Sequence, residues 1–325
     1  MVKLRHFSGG LAALALALAA ACACGVAAAQ AFPAHAIRIV TSEPGSGTDF
    51  VARLMATGVG INIGKPVVVE NRGGGILAVD AVLKSPADGY TLLLYGTSLW
   101  LSPFMRDNPP YDPVVDFAPV TLAAVSPNLL VVHPSLGVDS VKDLIGLLKA
   151  KPGQYNYASG STGSPTHLAA ELFKSMAGVE LVRIPFKGTG PAINALLGGQ
   201  VHVMIVSSSS VMPHVRAGKL KALAVSSAQP TALAPGLPTV SATGLPGFEA
   251  LSYFGVFAPG RTPVAVVTKL YVEILRVLDR ADSRERLFNS GLEYVGATPQ
   301  EFAAIIKTDM TKWGRLIKTA GIREE

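Results

Sequence analysis

Ile37-Arg38-Ile39-Val40-Thr41-Ser42-Glu43-Pro44-Gly45-Ser46-Gly47-Thr48-Asp49-Phe50-Val51-Ala52-Arg53 is the stretch from which the fold is read. Ile37, Ile39 and Val40 are apolar and β-branched, as a buried strand requires. Pro44-Gly45-Ser46-Gly47 makes a loop. Thr48-Asp49 reads as a helix start, and Val51, Leu54 and Met55 give that helix an apolar face. A strand that runs through a glycine loop into a helix aims free backbone N–H groups at one point. The helix dipole adds to the positive potential there, so the point favours an anion. The loop is no nucleotide fingerprint. Phe50 stands where a third glycine would fall, and no Lys-Ser/Thr follows. Most such turns are only turns, so the functional reading depends on the rest of the chain.

The same alternation recurs downstream. Pro66–Arg72 (PVVVENR) reads as a second strand, Gly73-Gly74-Gly75 as a turn and Leu77–Leu83 as a helix. Asp88-Gly89 signals a turn before Tyr90–Tyr95 (YTLLLY). That unbroken apolar run fits a strand buried on both faces of a parallel sheet. It ends in Gly96-Thr97-Ser98, a second loop at the strand edge where open α/β sheets bind ligands. Pro119–His133 holds two apolar runs around Ser126-Pro127-Asn128 and is read as a first crossing between two lobes. A helix over Val141–Leu148, capped by Asp139 or Ser140, and a strand over Tyr155–Ala158 follow. They lead to a third loop, Ser159-Gly160-Ser161-Thr162-Gly163. Ser164 is an N-cap, Pro165 the first helical residue, and Leu168, Leu172, Phe173 and Met176 form a stripe closed by Gly178. Strands at Leu181–Pro185, Val201–Val206 and Leu220–Ser226 come next, with the loop Phe186–Gly190 and the serine run Ser207–Ser210 between them. Tyr253–Pro259 (YFGVFAP) is the second crossing. Thr262-Pro263 is expected to cap a helix with the stripe Val264, Val267, Leu270, Ile274 and Leu278. Thr298-Pro299-Gln300-Glu301 is a capping box opening a last helix through Ile317. Strand–helix alternation specifies an α/β fold with parallel sheets. Two lobes joined by two crossings specify a clamshell, with a cleft suited to a small ligand.

The chain has 325 residues, 49% hydrophobic and 15% charged, a length that suits two lobes better than one core. Lys3 and Arg5, the apolar run Leu11–Ala21 and the small-x-small Ala29-Gln30-Ala31 read as a signal peptide over 1–31. Export with cleavage before Phe32 is expected. A membrane anchor is disfavoured because the run is Ala-rich and a cleavage motif follows it. Lipidation at Cys22 is disfavoured by Ala19. Cys22 and Cys24 both lie in this segment, so the mature chain offers no disulfide, thiol nucleophile or cysteine metal site. His35, His133, His202 and His214 lack ligand spacing, and no metal or cofactor is expected. The net charge is +6. Its basic residues are scattered without aromatic interleaving, which argues against nucleic acid.

IRIV…PGSGTDFVAR, VVVENR, DGYTLL, YDPVVDFAPVT, NYASGSTGSPTHLAAELF, VRIPFKGTGPAINALLGGQV, GKLKALAVSS, FGVFAPGRTP and TPQEFAAIIKTDMTKWGRLIKTAGI occur in one order over nearly the whole mature chain. In this the chain resembles the substrate-binding proteins of tripartite tricarboxylate transporters, the Bug or TctC-like receptors. The resemblance implies a periplasmic receptor of the two-lobed type II binding-protein fold. It implies closure on a small carboxylate, here a di- or tricarboxylate, an amino acid or an aromatic acid, and delivery to a two-subunit inner-membrane permease. Lobe 1 is then 32–125 and 255–325, and lobe 2 is 126–254. The family holds its carboxylate with backbone N–H groups, hydroxyls and waters, and the three loops here carry no Arg or Lys.

Carried over by position, the binding residues are Gly45, Ser46, Gly47, Thr48 and Asp49 in the first loop and Thr97 and Ser98 in the second. The third gives Ser159, Gly160, Ser161, Thr162, Gly163 and His167, with Phe186 as an apolar wall. The sequence departs from the family where an aromatic gives way to Thr41-Ser42-Glu43. A Glu43 facing the cleft would favour a ligand carrying an amine, and one facing water, the preferred reading, would mean little. His202 and Val206 stand where the family has acids. Plainer readings stand beside these. Asp49 also suits the first turn as a dipole partner, and Ser164 is foremost a cap. His167 sits where the dipole disfavours protonation and is equally read as structural. Trp100, Phe104, Tyr253 and Phe254 are cleft walls or simply core. A monomer without enzymatic activity is expected. The alternative is a periplasmic sensor signalling to a membrane kinase. An exported serine hydrolase is remote, because Gly160-Ser161-Thr162-Gly163 is one residue out of register with a nucleophile elbow.

Overall fold

The computed structural model describes residues 32–73 and 76–324. The predicted signal segment 1–31, with Cys22 and Cys24, lies outside them, as do Gly74 and Gly75. The first part of the chain alternates β1 (Ile37–Thr41), α1 (Gly47–Ile63), β2 (Val67–Asn71), α2 (Leu77–Leu83) and β3 (Thr91–Tyr95). A short helix α3 (Ser98–Leu101) and a 3-10 turn (Ser102–Met105) lead to the long strand β4 (Phe117–Val132). Then come α4 (Val141–Ala150), β5 (Asn156–Ser159), α5 (Pro165–Ala177), β6 (Val182–Pro185), α6 (Thr189–Leu197), β7 (Val203–Ser207), α7 (Ser208–Arg216) and β8 (Lys221–Val225). The chain closes with α8 (Val240–Thr243), β9 (Leu251–Pro259), α9 (Val264–Leu278), α10 (Ala281–Asn289), β10 (Glu293–Ala297) and α11 (Pro299–Thr319).

The strands lie in the order β2-β1-β3-β9-β4-β7-β5-β6, with β8 and β10 added to β4. The outer strands are parallel as expected: β1 with β2 and β3, and β5 with β6 and β7. The middle is not, since β9 runs antiparallel to both β3 and β4. These are the two crossing strands of a two-lobed α/β fold. The runs on either side of Ser126-Pro127-Asn128 form one 16-residue strand. Its first part pairs with β9 as far as Pro127↔Leu251. From Asn128↔Ser207 onward it pairs with β7. The change of partner is sealed by buried polar groups. Asn128 Nδ2 donates to Ala250 O (2.7 Å), and Ser126 Oγ donates to Gly291 O (2.9 Å). In an apolar core such groups cost free energy unless bonded, so this register has few alternatives.

Trp100 is fully buried in the core against Phe257 and Phe302, with ring centroids 6.2 and 6.1 Å away. Asp309, also buried, takes the indole N–H of Trp100 and of Trp313, each at 2.7 Å. Trp100 is therefore core and not a cleft wall. Four caps form as local chemistry dictates, at Ser46, Ser140, Ser164 and Thr298, the last as a complete capping box. Ser46, not Thr48, opens α1. Thr262 does not cap α9; Pro263 stands at that position, and the buried Thr262 hydroxyl has no partner among the described residues. Of the proposed stripes, Val264 (78%) and Met176 (38%) face outward. The sequence reading missed α10 and β10.

Candidate functional site

β1 and β3 are neighbours and parallel, so their following loops leave the sheet at one edge. Thr41 Oγ1 ties them by donating to Leu94 O at 3.0 Å. In the first loop Ser42, Ser46 and Thr48 form a triangle of hydroxyls, with oxygens 2.6, 2.9 and 3.1 Å apart. Ser46 Oγ also accepts the Asp49 N–H. Gly47 lies on the Phe254 ring; a Cβ there would fall 2.6 Å from Phe254 Cε1. Phe254 is thus a floor beneath the loop, and only glycine fits above it.

Asp49 is buried, and its carboxylate is spent on the protein. One oxygen accepts the Gly45 N–H at 2.9 Å; the other accepts Asn71 Nδ2 at 2.8 Å and Arg53 Nε at 2.9 Å. Burial pushes its pKa up, but the bonds from Arg53, Gly45 and Asn71 outweigh burial and hold it below the usual range. Asp49 organises the loop, and Asn71 extends this by donating to Ser42 O at 3.0 Å. Glu43 is exposed; its Cγ lies 3.2 Å from where a Cβ on Gly73 would be. It reaches the end of β3 electrostatically: burial, then Glu43 and Glu324, push the Tyr95 hydroxyl up to about 12.

In the second loop Thr97 is buried, and its Oγ1 has no partner among the described residues. Ser98 beside it is half-buried and opens α3. The preceding Gly96 packs on Tyr253 O, which a Cβ would approach to 3.0 Å.

The third loop is braced by a residue the sequence reading did not name. Arg183, on β6, donates through Nε to Ser159 Oγ (2.9 Å), through one terminal nitrogen to Thr162 Oγ1 (3.1 Å) and through the other to Gly160 O (3.2 Å). The loops carry no cation of their own, yet a guanidinium underlies one of them. Ser161 is exposed, and its backbone carbonyl accepts the Ser164 N–H. Gly160 N–H is bonded to Thr166 Oγ1, and Gly163 N–H to His167 Nδ1 at 3.1 Å. His167 therefore carries its proton on Nε2. Burial, then the Arg183 charge, push its pKa down to about 4, so it is neutral at pH 7. Phe186 is half-buried and joins the loop through its N–H to Ser159 O. Gly163, at φ +75°, lies against Met105 and Glu324. Glu324 is also among the charges that push the Tyr95 hydroxyl up.

Among the described residues no group of three His, Cys, Asp or Glu could hold a metal. Nor is any helix there long and apolar enough to cross a membrane.

Comparison with known proteins gives consistent matches. The model of the tripartite tricarboxylate transporter family receptor matches residues 51–322. Protein BugT of Bordetella pertussis is 36% identical over 300 residues, 91% of this chain and 92% of BugT. Rpa4515 of R. palustris, solved with adipate, is 35% identical with a TM-score of 0.82, over 90% of this chain and 99% of that one. MatC from Rhodopseudomonas palustris, solved with bound malate, is 29% identical with a TM-score of 0.77, over 88% and 100% of the two chains.

Proposed function

The chain belongs to the tripartite tricarboxylate transporter receptor family, and we propose that it is an exported receptor that closes two lobes on a small carboxylate and hands it to a two-subunit inner-membrane permease. The lobes are 32–125 with 255–325, and 126–254, with the hinge where β4 passes from β9 to β7. The observation that carries the reading is Thr97: a buried hydroxyl without a protein partner among the described residues, at the shared edge of β1 and β3. Buried hydroxyls are rarely left unbonded, and here a ligand oxygen supplies the bond. The α1 N-terminus and the Ser42–Ser46–Thr48 triangle offer further donors to the same anion. Relatives solved with adipate and malate support a dicarboxylate as the first class to test. The receptor works as a monomer.

A hydrolase is not supported. Ser164 Oγ is engaged as a cap on the His167 N–H, and the His167 ring faces the Gly163 N–H and not a serine.

Melting and calorimetric titration with adipate, malate and a panel of amino and aromatic acids test the reading. A ligand at about a hundred times its dissociation constant adds ~2.7 kcal/mol to the folded state. Thr48→Ala with Ser161→Ala is expected to weaken the best acid about tenfold or more while leaving the unliganded melting point within ~2 °C. Binding as tight as wild type in that double variant would remove the proposed clasp.

We propose that Glu43, exposed in the first loop, opposes a second ligand carboxylate. Glu43→Gln is expected to strengthen dicarboxylates about two- to fivefold at low salt and to leave monocarboxylates less affected. Equal gains for both would show that Glu43 acts on capture in general and does not read the second charge.

A further inference from the structure

After α11 the chain turns back across lobe 1. Ile322 is buried, and Glu324 N–H donates to Met105 O at 3.0 Å. Glu324 Oε2 accepts from Ser102 Oγ at 2.7 Å and from Arg106 Nε at 2.9 Å. Only 16% of the Glu324 side chain and 32% of the Arg106 side chain are exposed. A charge-assisted bond in such a place is stronger than an open surface pair. The next neighbour belongs to the other lobe. A Cβ on Gly163 would sit 2.3 Å from Met105 Cε and 2.8 Å from Glu324 Oε1. The third loop therefore lands, glycine first, on a pad made of Met105 and Glu324. Glu324 holds that pad from both sides, through the Met105 backbone and through Ser102 and Arg106.

We propose that Glu324 is a positioning residue for ligand capture: it fixes the surface on lobe 1 that receives the third loop when the lobes meet. The proposal rests on the receptor reading above. Closure is a population shift that depends on contacts made only in the closed form. Loosening the pad removes such contacts without touching the hydroxyl triangle or Thr97. The effect belongs in the dissociation rate, because the open form that ligand first meets is unchanged.

Small-angle X-ray scattering of the unliganded full chain, with stopped-flow kinetics using adipate and malate as probes, tests this. Glu324→Ala and Arg106→Ala are each expected to raise the radius of gyration toward the open form. Each is expected to speed dissociation about tenfold, with association within about twofold of wild type. The two effects should not add, since both break one pair. Glu324→Gln, which still accepts from Ser102, should recover part of the loss. Wild-type scattering and dissociation in both alanine variants, with only a lower melting point, would reduce Glu324 to a structural brace and overturn the proposal. If neither acid binds the wild type, the choice of dicarboxylate fails while the scattering comparison still decides the role of Glu324.

Discussion

Asp49→Ala is expected to lower stability by ~3 kcal/mol and to cost the receptor its ligand affinity by more than tenfold. Asp49 is 5% exposed, and its carboxylate satisfies the Gly45 N–H and Asn71 Nδ2. Removing it leaves both donors unpaired in a desolvated corner, each at a cost of about 1–3 kcal/mol. Arg53 adds little to this sum, being 57% exposed. In a chain of this size the loss corresponds to a fall of about 5–10 °C in melting temperature. Affinity is expected to fall because Asp49 and Asn71 fix Gly45 and Ser42, which carry the loop proposed to meet the ligand. The control is Asp80→Ala, which breaks an exposed pair with Lys84 (side chains 44% and 72% exposed). It should change the melting point by less than ~2 °C. If Asp49→Ala weakens binding without lowering stability, the carboxylate touches the ligand directly and the framework role assigned to it is wrong.

What could be read from the sequence follows the range of the interaction. Ser46, Ser140, Ser164 and Thr298 cap helices through partners three residues away, so each announces itself locally. The switch at Ser126-Pro127-Asn128 is legible because three turn-forming residues interrupt two apolar runs, although the backbone there stays extended. α10 was missed because only Ser283 and Leu287 along it are buried, which leaves no apolar stripe to count. β10 is short and mostly half-buried, and it is a strand because it pairs with β4 far back in the chain. Thr262 looked like a cap by residue type, but Pro263 occupies the position. In the site, the three loops and their hydroxyls could be named from glycine and serine patterns. The groups that hold them could not. Arg183 reaches the third loop across 24 residues, and Glu324 reaches Ser102 across 222. No periodicity encodes such pairs. The one available signal was an arginine inside a short strand directly following the loop's helix, which needs a carboxylate, a carbonyl cluster or water to answer it.

His167 should make the receptor acid-sensitive in a defined window. Its folded pKa is about 4, against 6.5 when unperturbed. As pH falls below 6.5 the unfolded chain takes the proton first, because the folded ring is buried beside Arg183 and its Nδ1 already accepts the Gly163 N–H. Stability that is fully present above pH 6.5 is therefore lost progressively down to about pH 4, amounting to ~3 kcal/mol. His202 is also pushed below its usual range, by burial and then by His133, and adds in the same direction. Asp309 works oppositely: burial raises its pKa, so its share of stability falls as pH rises through its own window above 3.8. The charged neighbours of His167 divide, with Arg183 and Lys174 opposing protonation and Glu171 favouring it. A difference measurement separates these contributions. His167→Gln keeps an acceptor for the Gly163 N–H but cannot titrate, so it should flatten the stability curve between pH 6.5 and 4.5 by about two-thirds of that sum, whatever constant offset it introduces. Urea unfolding at pH 7.5, 6.5, 5.5 and 4.5 reads this directly. Parallel curves for variant and wild type would mean that the ring is protonated as easily folded as unfolded, and that the Gly163–His167 bond does not set its charge. The same bond links stability to capture, because a protonated Nδ1 cannot accept the Gly163 N–H. The folded ring protonates only near pH 4, so acid should loosen the loop that meets Met105 and Glu324 only as pH falls through about 4, and ligand affinity should fall there in the wild type and not in His167→Gln.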